Sequence, residues 1–420
     1  MANMHPRYPG LVALLSLAAL ATVGCSPEWE PGAAPDGAPE HHPASGLQSM
    51  SLSYGHGCGP HNGPAGHWQF AAPMPAARER HSALLLPNGK VLVGGGDGPT
   101  SVDLYKPATN TWTTGAPLPL STDQTRVALL PGGKVLFSPG GVVYDPSTDT
   151  STSVPLTPGE ALEGWPFNGP TLTTLPSGLV LRTGGSDGDH DLKEAVLYGA
   201  TTNTWSSAGT MSVSRHLHTA TLLPDGRVLV VGGYTLEGDY QLPTGRTSVD
   251  IYDPAAGTWA AAAPTNMPRM QHTATLLPSG QVLVVGGGGE IHTDFQSDDD
   301  GDHWVTIPAD VTAEIYNPVN NTWTLTAPPS LAYGPGSAAA PMRHGRVMLI
   351  GSQGAEIYKA ASDSWSLIDE LTDNQRRFLT ATALKDDSVL VVGGSGRTTA
   401  TGELDTLASV ERYRRGCAPH

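Results

Sequence analysis

Apolar residues in this chain fall in short runs, each bounded by Gly, Pro, Asp or Asn. The clearest copy reads Arg215-x-x-His218-Thr219-Ala220-Thr221-Leu222-Leu223, then Pro224-Asp225-Gly226, then Val228-Leu229-Val230-Val231 and Gly232-Gly233. The first run is β-prone. Pro-Asp-Gly is a turn signal in which Gly is free to take positive φ. Val-Leu-Val-Val is apolar at every position, as expected of a strand buried on both faces. A third run, Asp250-Ile251-Tyr252, follows a loop, and a further turn leads to a fourth at Thr258-Trp259. The pattern predicts a four-stranded antiparallel sheet of about 45 residues, which cannot cover both its faces alone but can in a ring of its own kind.

The same order of runs recurs along the chain. Third strands end at Tyr105, Tyr144, Tyr198, Tyr252, Tyr316, Tyr358 and Tyr413, which predicts seven sheets. A glycine pair closes the second strand at Gly95-Gly96, Gly184-Gly185, Gly232-Gly233, Gly286-Gly287 and Gly393-Gly394, and degenerates to Pro139-Gly140 and Gly351-Ser352. A tryptophan follows the tyrosine as Trp112, Trp205, Trp259, Trp323 and Trp365, with Ser151 in its place in the second copy. The last copy has no fourth strand after Tyr413. Its counterpart stands upstream: Trp68 precedes Arg78 by the interval that separates Trp205 from Arg215 and Trp259 from Arg269. The strand around Trp68 is therefore expected to complete the seventh sheet and close the ring, removing two open edges.

This repeat resembles the kelch pattern, over about residues 68 to 413, as in bacterial kelch-repeat proteins and, more distantly, the propeller of galactose oxidase. The resemblance implies an all-β, seven-bladed β-propeller. It is specific for fold and not for function, because kelch propellers serve as binding scaffolds, oxidases and sugar epimerases.

Composition narrows the function. Gly (51) and Pro (37) are abundant and only 15% of residues are charged, which suits many short strands and tight turns. A net charge of −16 with no Lys/Arg-rich segment argues against nucleic-acid partners, whose binding rests on phosphate neutralisation. Leu11 to Ala21 is an apolar run too short to span a bilayer and fits the core of a secretory signal. It ends at Thr22-Val23-Gly24-Cys25, which resembles a bacterial lipobox. Residues 1–25 are thus expected to be a signal peptide with lipid added at Cys25, residues 26–66 a Pro/Gly/His-rich tether, and residues 67–417 the propeller. The expected location is the outer membrane, through that anchor alone, or the exterior as a secreted protein. If the ring closes as argued, Cys58 and Cys417 come near each other, and an exported protein is expected to join them as a disulfide. The competing reading of Cys58 is a soft-metal site with His56 and His61.

Arg78/His81, Arg215/His218, Arg269/His272 and Arg377 with Thr380 stand at the start of first strands. In kelch propellers the first strand lines the central channel, and the links between blades share a face with the strand 2–3 loops. The resemblance thus sets these residues around the channel mouth, joined by Trp165 and Tyr333 from the links. Arginines there could hold an anionic group through bidentate contacts, or belong to the repeat and bond backbone. The strand 2–3 loops vary most, and blade five carries Asp298, Asp300 and Asp302, closely spaced carboxylates that could take Ca²⁺ without matching an EF-hand. Otherwise no cofactor is expected. Copper-radical oxidation is disfavoured: no Tyr-His pair starts a first strand, and no cysteine lies between Cys58 and Cys417. There is no phosphate loop or His-Glu-x-x-His motif. The leading expectation is a non-catalytic, monomeric binding propeller for a glycan or protein ligand on the long-loop face. The alternative is an exported epimerase- or mutarotase-like enzyme for a small anionic sugar, with Arg215, Arg269 and Arg377 on the carboxylate and His218 or His272 as acid or base.

Overall fold

The computed structural model describes residues 66–96, 100–119, 126–138, 141–156, 169–187, 190–235, 245–287, 289–293, 303–307, 311–368, 371, 376–397 and 404–415, all within the compact unit Gly57–His420. Cys25, Cys58, Cys417, Trp165 and Asp298–Asp302 lie outside the described residues, as do the leader and all but the last residue of the tether.

Seven four-stranded antiparallel sheets follow one another in chain order. Blade four shows the plan: Thr219–Leu222, Val228–Val231, Val249–Asp253 and Thr258–Ala262 pair in sequence. Its second strand is buried along its whole length, and so is the second strand of every other blade apart from the half-buried Arg346 that opens it in blade six, because sheets cover it on both sides. The core lies between blades. Leu229, Val231 and Ile251 of blade four meet Val282, Val284 and Tyr316 of blade five in one apolar cluster.

The seventh blade joins Thr380–Ala383, Val389–Val392 and Val410–Arg414 to the N-terminal strand His67–Phe70. Trp68 pairs with Tyr413 in the register by which Tyr252 meets Trp259 and Tyr316 meets Trp323. The Trp68 and Tyr413 rings lie 5.3 Å apart, edge to face. Val91, Val93 and Tyr105 of blade one share a cluster with Leu390, Val392 and Val410 of blade seven, so the ring is sealed by apolar contact as well as by strand pairing.

Two repeat residues act as clasps at the rim. The indoles of Trp112, Trp205, Trp259, Trp323 and Trp365 each donate to a carbonyl of the chain leading out of the preceding blade, as Trp259 does to Ala208 (2.8 Å) and Trp323 to Ala263 (2.8 Å). Five of the tyrosine hydroxyls donate to an Asn or Asp five residues on, such as Asn321, whose φ of 54° fits a short amide side chain. On the opposite end from the Pro-x-Gly turns, the strand 2–3 connections of blades five and seven rise as extra hairpins, Gly289–Thr293 with His303–Ile307 and Ser395–Arg397 with Leu404–Thr406.

Candidate functional site

Arg78, Arg215 and Arg269 have no exposed surface. Each guanidinium lies across its own blade. Arg215 donates through Nη1 to the Gly232 and Ser248 carbonyls and through Nη2 to Asp250, two residues before the blade's tyrosine. Arg78 pairs in the same way with Asp103 (2.7 Å) and Arg269 with Glu314 (2.9 Å). The backbone carbonyl of each arginine accepts the amide of the preceding blade's second glycine, as from Gly233 to Arg269 at 2.8 Å. These arginines therefore brace their own blade and stitch it to the one before.

In blade seven the bracing residue is Arg376, bonded to Glu411 at 3.0 Å, and not Arg377, which is exposed. The sequence reading aligned Arg377 and Thr380 with Arg78 and His81, one residue out of register. The constant interval is seventeen residues from the arginine to the first glycine, Arg376 to Gly393 as Arg78 to Gly95, and Leu379 takes the histidine's place. In blade six Tyr333 stands where the arginine would be. It is buried and donates its hydroxyl to Glu356 at 3.1 Å, and burial, reinforced by Glu356, raises its pKa. It offers the surface no aromatic face.

His81, His218 and His272 are buried between blades. Nε2 of His272 lies 2.8 Å from Thr219 Oγ1 on the preceding blade, and that of His81 2.9 Å from Thr380 Oγ1. Burial, with Arg78 adding, pushes the His81 imidazole down to about 3. Burial, then Arg269 and Arg215, does the same to His272, and His218 shifts in the same direction by burial first. A histidine whose folded pKa lies below its unfolded value contributes stability above the unfolded pKa of about 6.5 and loses it as pH falls toward the folded one. Thermal melts on descending from about pH 7 should therefore show Tm falling as stability is lost, at on the order of 1.4 kcal/mol per pH unit per histidine. His272→Gln, which keeps a donor for Thr219, should flatten that slope. An unchanged slope would assign the acid loss to carboxylates instead.

What faces the channel mouth is a different set. Arg80, Leu217, Gln271 and Phe378, two residues after each bracing arginine, are half-buried and hold φ between 51° and 55°. The backbone joins them around the mouth: Phe378 N donates to Gly336 O, Arg80 N to Phe378 O, and Gln271 N to Leu217 O. The Arg80 guanidinium sits over the Phe378 ring, 4.7 Å from its centre.

The ring of braces is interrupted in blades two and three, where the acid position two before the tyrosine is Val142 and Val196. Arg126 lies there. It opens the first strand of blade two in the position held elsewhere by Ser82, Thr171, Thr219, Thr273, Ala338 and Thr380. Its guanidinium rests against Gly169 at the long-loop end, where a Cβ would stand 3.2 Å from Nη2. It is half-buried, burial lowers its pKa, and among the described residues no carboxylate pairs with it. Sequence reading missed Arg126 by looking only at the motif arginines; the visible signal was an arginine in a slot otherwise filled by Ser, Thr or Ala. In the link to blade four, His216 Nδ1 lies 2.7 Å from the buried Asp191 Oδ1, with Tyr234 edge-on to the imidazole at 5.0 Å. No group of His, Cys, Asp or Glu among the described residues is arranged to hold a metal ion.

No family model matches the chain. Among curated proteins it is similar to Kelch-like protein 35 of Mus musculus, 28% identical over 34% of this chain and 21% of that protein. It is similar to galactose oxidase of Gibberella zeae, 26% identical over 30% of this chain and 17% of the oxidase. It is also similar to the F-box/kelch-repeat protein SKIP30 of Arabidopsis thaliana, 25% identical over 60% of this chain and 64% of that protein. The chain spans less than two thirds of each of these relatives. Taken with the seven-bladed ring, the similarities identify the architecture as a kelch-type propeller.

Proposed function

We propose that this kelch-type propeller is an exported, non-catalytic binding scaffold, lipid-anchored at Cys25 or secreted, that takes a glycan or protein ligand on the face bearing the strand 2–3 loops. The observation that carries the reading is Arg126: a half-buried cation without a carboxylate partner among the described residues, at the mouth of the channel, in the sector where the braces are missing. The motif arginines support the reading by contrast, since their charges are paired with Asp103, Asp250 and Glu314. Arg126 would meet a carboxylate or other anionic group of the ligand. A Cys58–Cys417 disulfide would staple the strand ends joined where His67 pairs with Arg414.

A glycan array probed with the full chain, followed by titration of the best-bound glycan, tests this. Arg126→Ala should weaken binding by about tenfold or more, the effect of one charge-assisted hydrogen bond. A glycan held equally by Arg126→Ala, but lost on substitution in the Pro-x-Gly turns, would place the site on the other face. The second reading, an enzyme on a small anionic sugar, draws support from the Asp191–His216 pair, which orients an imidazole as a general base requires. It predicts epimerisation of an acidic sugar, followed by proton exchange in NMR spectra and abolished by His216→Gln.

A further inference from the structure

A second site lies on the opposite face, where blades seven and one meet. A pocket of about 490 Å³ opens there between the turn Asn88–Lys90, residues Lys106–Ala108, the turn Leu384–Asp386, and Arg412 and Arg414. The pocket follows from how the ring closes. Every other blade bridges its third and fourth strands with a tight turn at this end; blade seven makes its outer pair from Val410–Arg414 and His67–Phe70, which belong to distant parts of the chain.

Five of the pocket's residues are cationic and one, Asp386, is acidic, in a chain of net charge −16. Two of the cations are structural. Lys385 Nζ donates to Pro87 O across the seam at 2.7 Å. Arg412 donates to Ser388 Oγ, to Pro107 O and to Asp386, which neutralises it. Burial acts to raise the pKa of Asp386, but bonds from Ser388 and the charges of Arg412 and Arg414 outweigh it, and the carboxyl is held below its usual range. That leaves Lys90, Lys106 and Arg414, none paired with a carboxylate among the described residues. The position after the third-strand tyrosine, which supplies Lys106 and Arg414 here, is Asp145, Gly199, Asp253 and Asn317 in blades two to five and Lys359 in blade six, so a cation there is confined to blades six, seven and one and is not general to the repeat.

We propose that this seam pocket binds a dianionic oxyanion of phosphate or sulfate type. Two lysine ammonium groups on flexible stems act as point charges, and one arginine supplies a planar fork. Together they suit several oxygens on one centre better than a single carboxylate. The site is independent of Arg126 and of the long-loop face.

Calorimetric titration of the full chain with inorganic phosphate, inorganic sulfate, glycerol phosphate and acetate, with and without added sodium chloride, tests the proposal. Phosphate or sulfate should bind and raise Tm, acetate should bind far more weakly, and salt should reduce the affinity. Lys90→Ala and Arg414→Ala should each weaken binding by about tenfold, while Lys359→Ala, an exposed lysine outside the pocket, should leave it unchanged. Tighter binding of glycerol phosphate than of phosphate would mark the ligand as an ester, and the reverse as the free ion. No heat with either oxyanion, equal binding of acetate, or equal losses from Lys359→Ala and the pocket variants would overturn it.

Discussion

Glu314→Ala should lower the unfolding free energy by about 3–5 kcal/mol, the range for removing one partner of a buried ion pair. The Arg269 guanidinium would stay in place with no exposed surface and without the carboxylate that now stands 2.9 Å from its Nε. Asn266 would also lose the acceptor of its amide and side-chain nitrogens. The double change Arg269→Met with Glu314→Leu should be far milder. It removes both charges, and apolar replacement of a buried pair is often neutral or stabilising by about 1–4 kcal/mol. The molecule contains its own precedent, since blades two and three carry Val142 and Val196 at the acid position. Thermal and urea unfolding of the two variants checks this. A double variant as unstable as Glu314→Ala would show that the pair itself, and not the stranded charge, sets the cost.

Gly286→Ala is expected to cost about 3 kcal/mol or more, from left-handed strain and overpacking together. Gly286 holds φ at 69°, and a Cβ there would stand 2.1 Å from the carbonyl oxygen of Tyr333 and 2.8 Å from its Cβ. The obstruction is backbone of the next blade and cannot swing aside. Gly257, also at positive φ, gives the control. Nothing lies within 4 Å of its Cβ position, and Asn110, Asn203 and Asn321 occupy the equivalent place in other blades. Gly257→Asn should be neutral or stabilising, because its side chain can accept from Tyr252 as Asn321 does from Tyr316. Melting both variants beside the wild type separates crowding from conformation. Equal losses would mean that the glycine pair is required for φ alone.

The architecture was legible because it is written seven times. The tyrosines mark the blades, and the displaced Trp68 announces the closure found at Trp68–Tyr413. The motif left two roles open for its arginines, an anion site or a bond to backbone within the repeat, because it names residue types and not the direction in which a guanidinium points. Their partners were nevertheless in view: Asp103, Asp250, Glu314 and Glu411 all stand two residues before a tyrosine, alternating inward on the same strand. Tyr333 read as a surface aromatic because it sits in a link between blades, yet it fills an arginine's place against Glu356. The seam pocket could not be read at all without knowing which turns closure brings side by side, since Lys90 and Arg414 are far apart in the chain.

A ligand-facing Arg126 has a consequence that needs no ligand to observe. A cation kept half-buried without a carboxylate partner among the described residues burdens the fold, and residues retained for binding commonly do so. Arg126→Met keeps the side-chain length and removes the charge. The most direct measurement is its Tm beside that of wild type and of Arg215→Ala. A function at the channel mouth predicts a Tm for Arg126→Met at or above wild type, with Arg215→Ala well below, whereas a fall in Arg126→Met as large as that in Arg215→Ala would make Arg126 one more brace and contradict its assignment to the binding face.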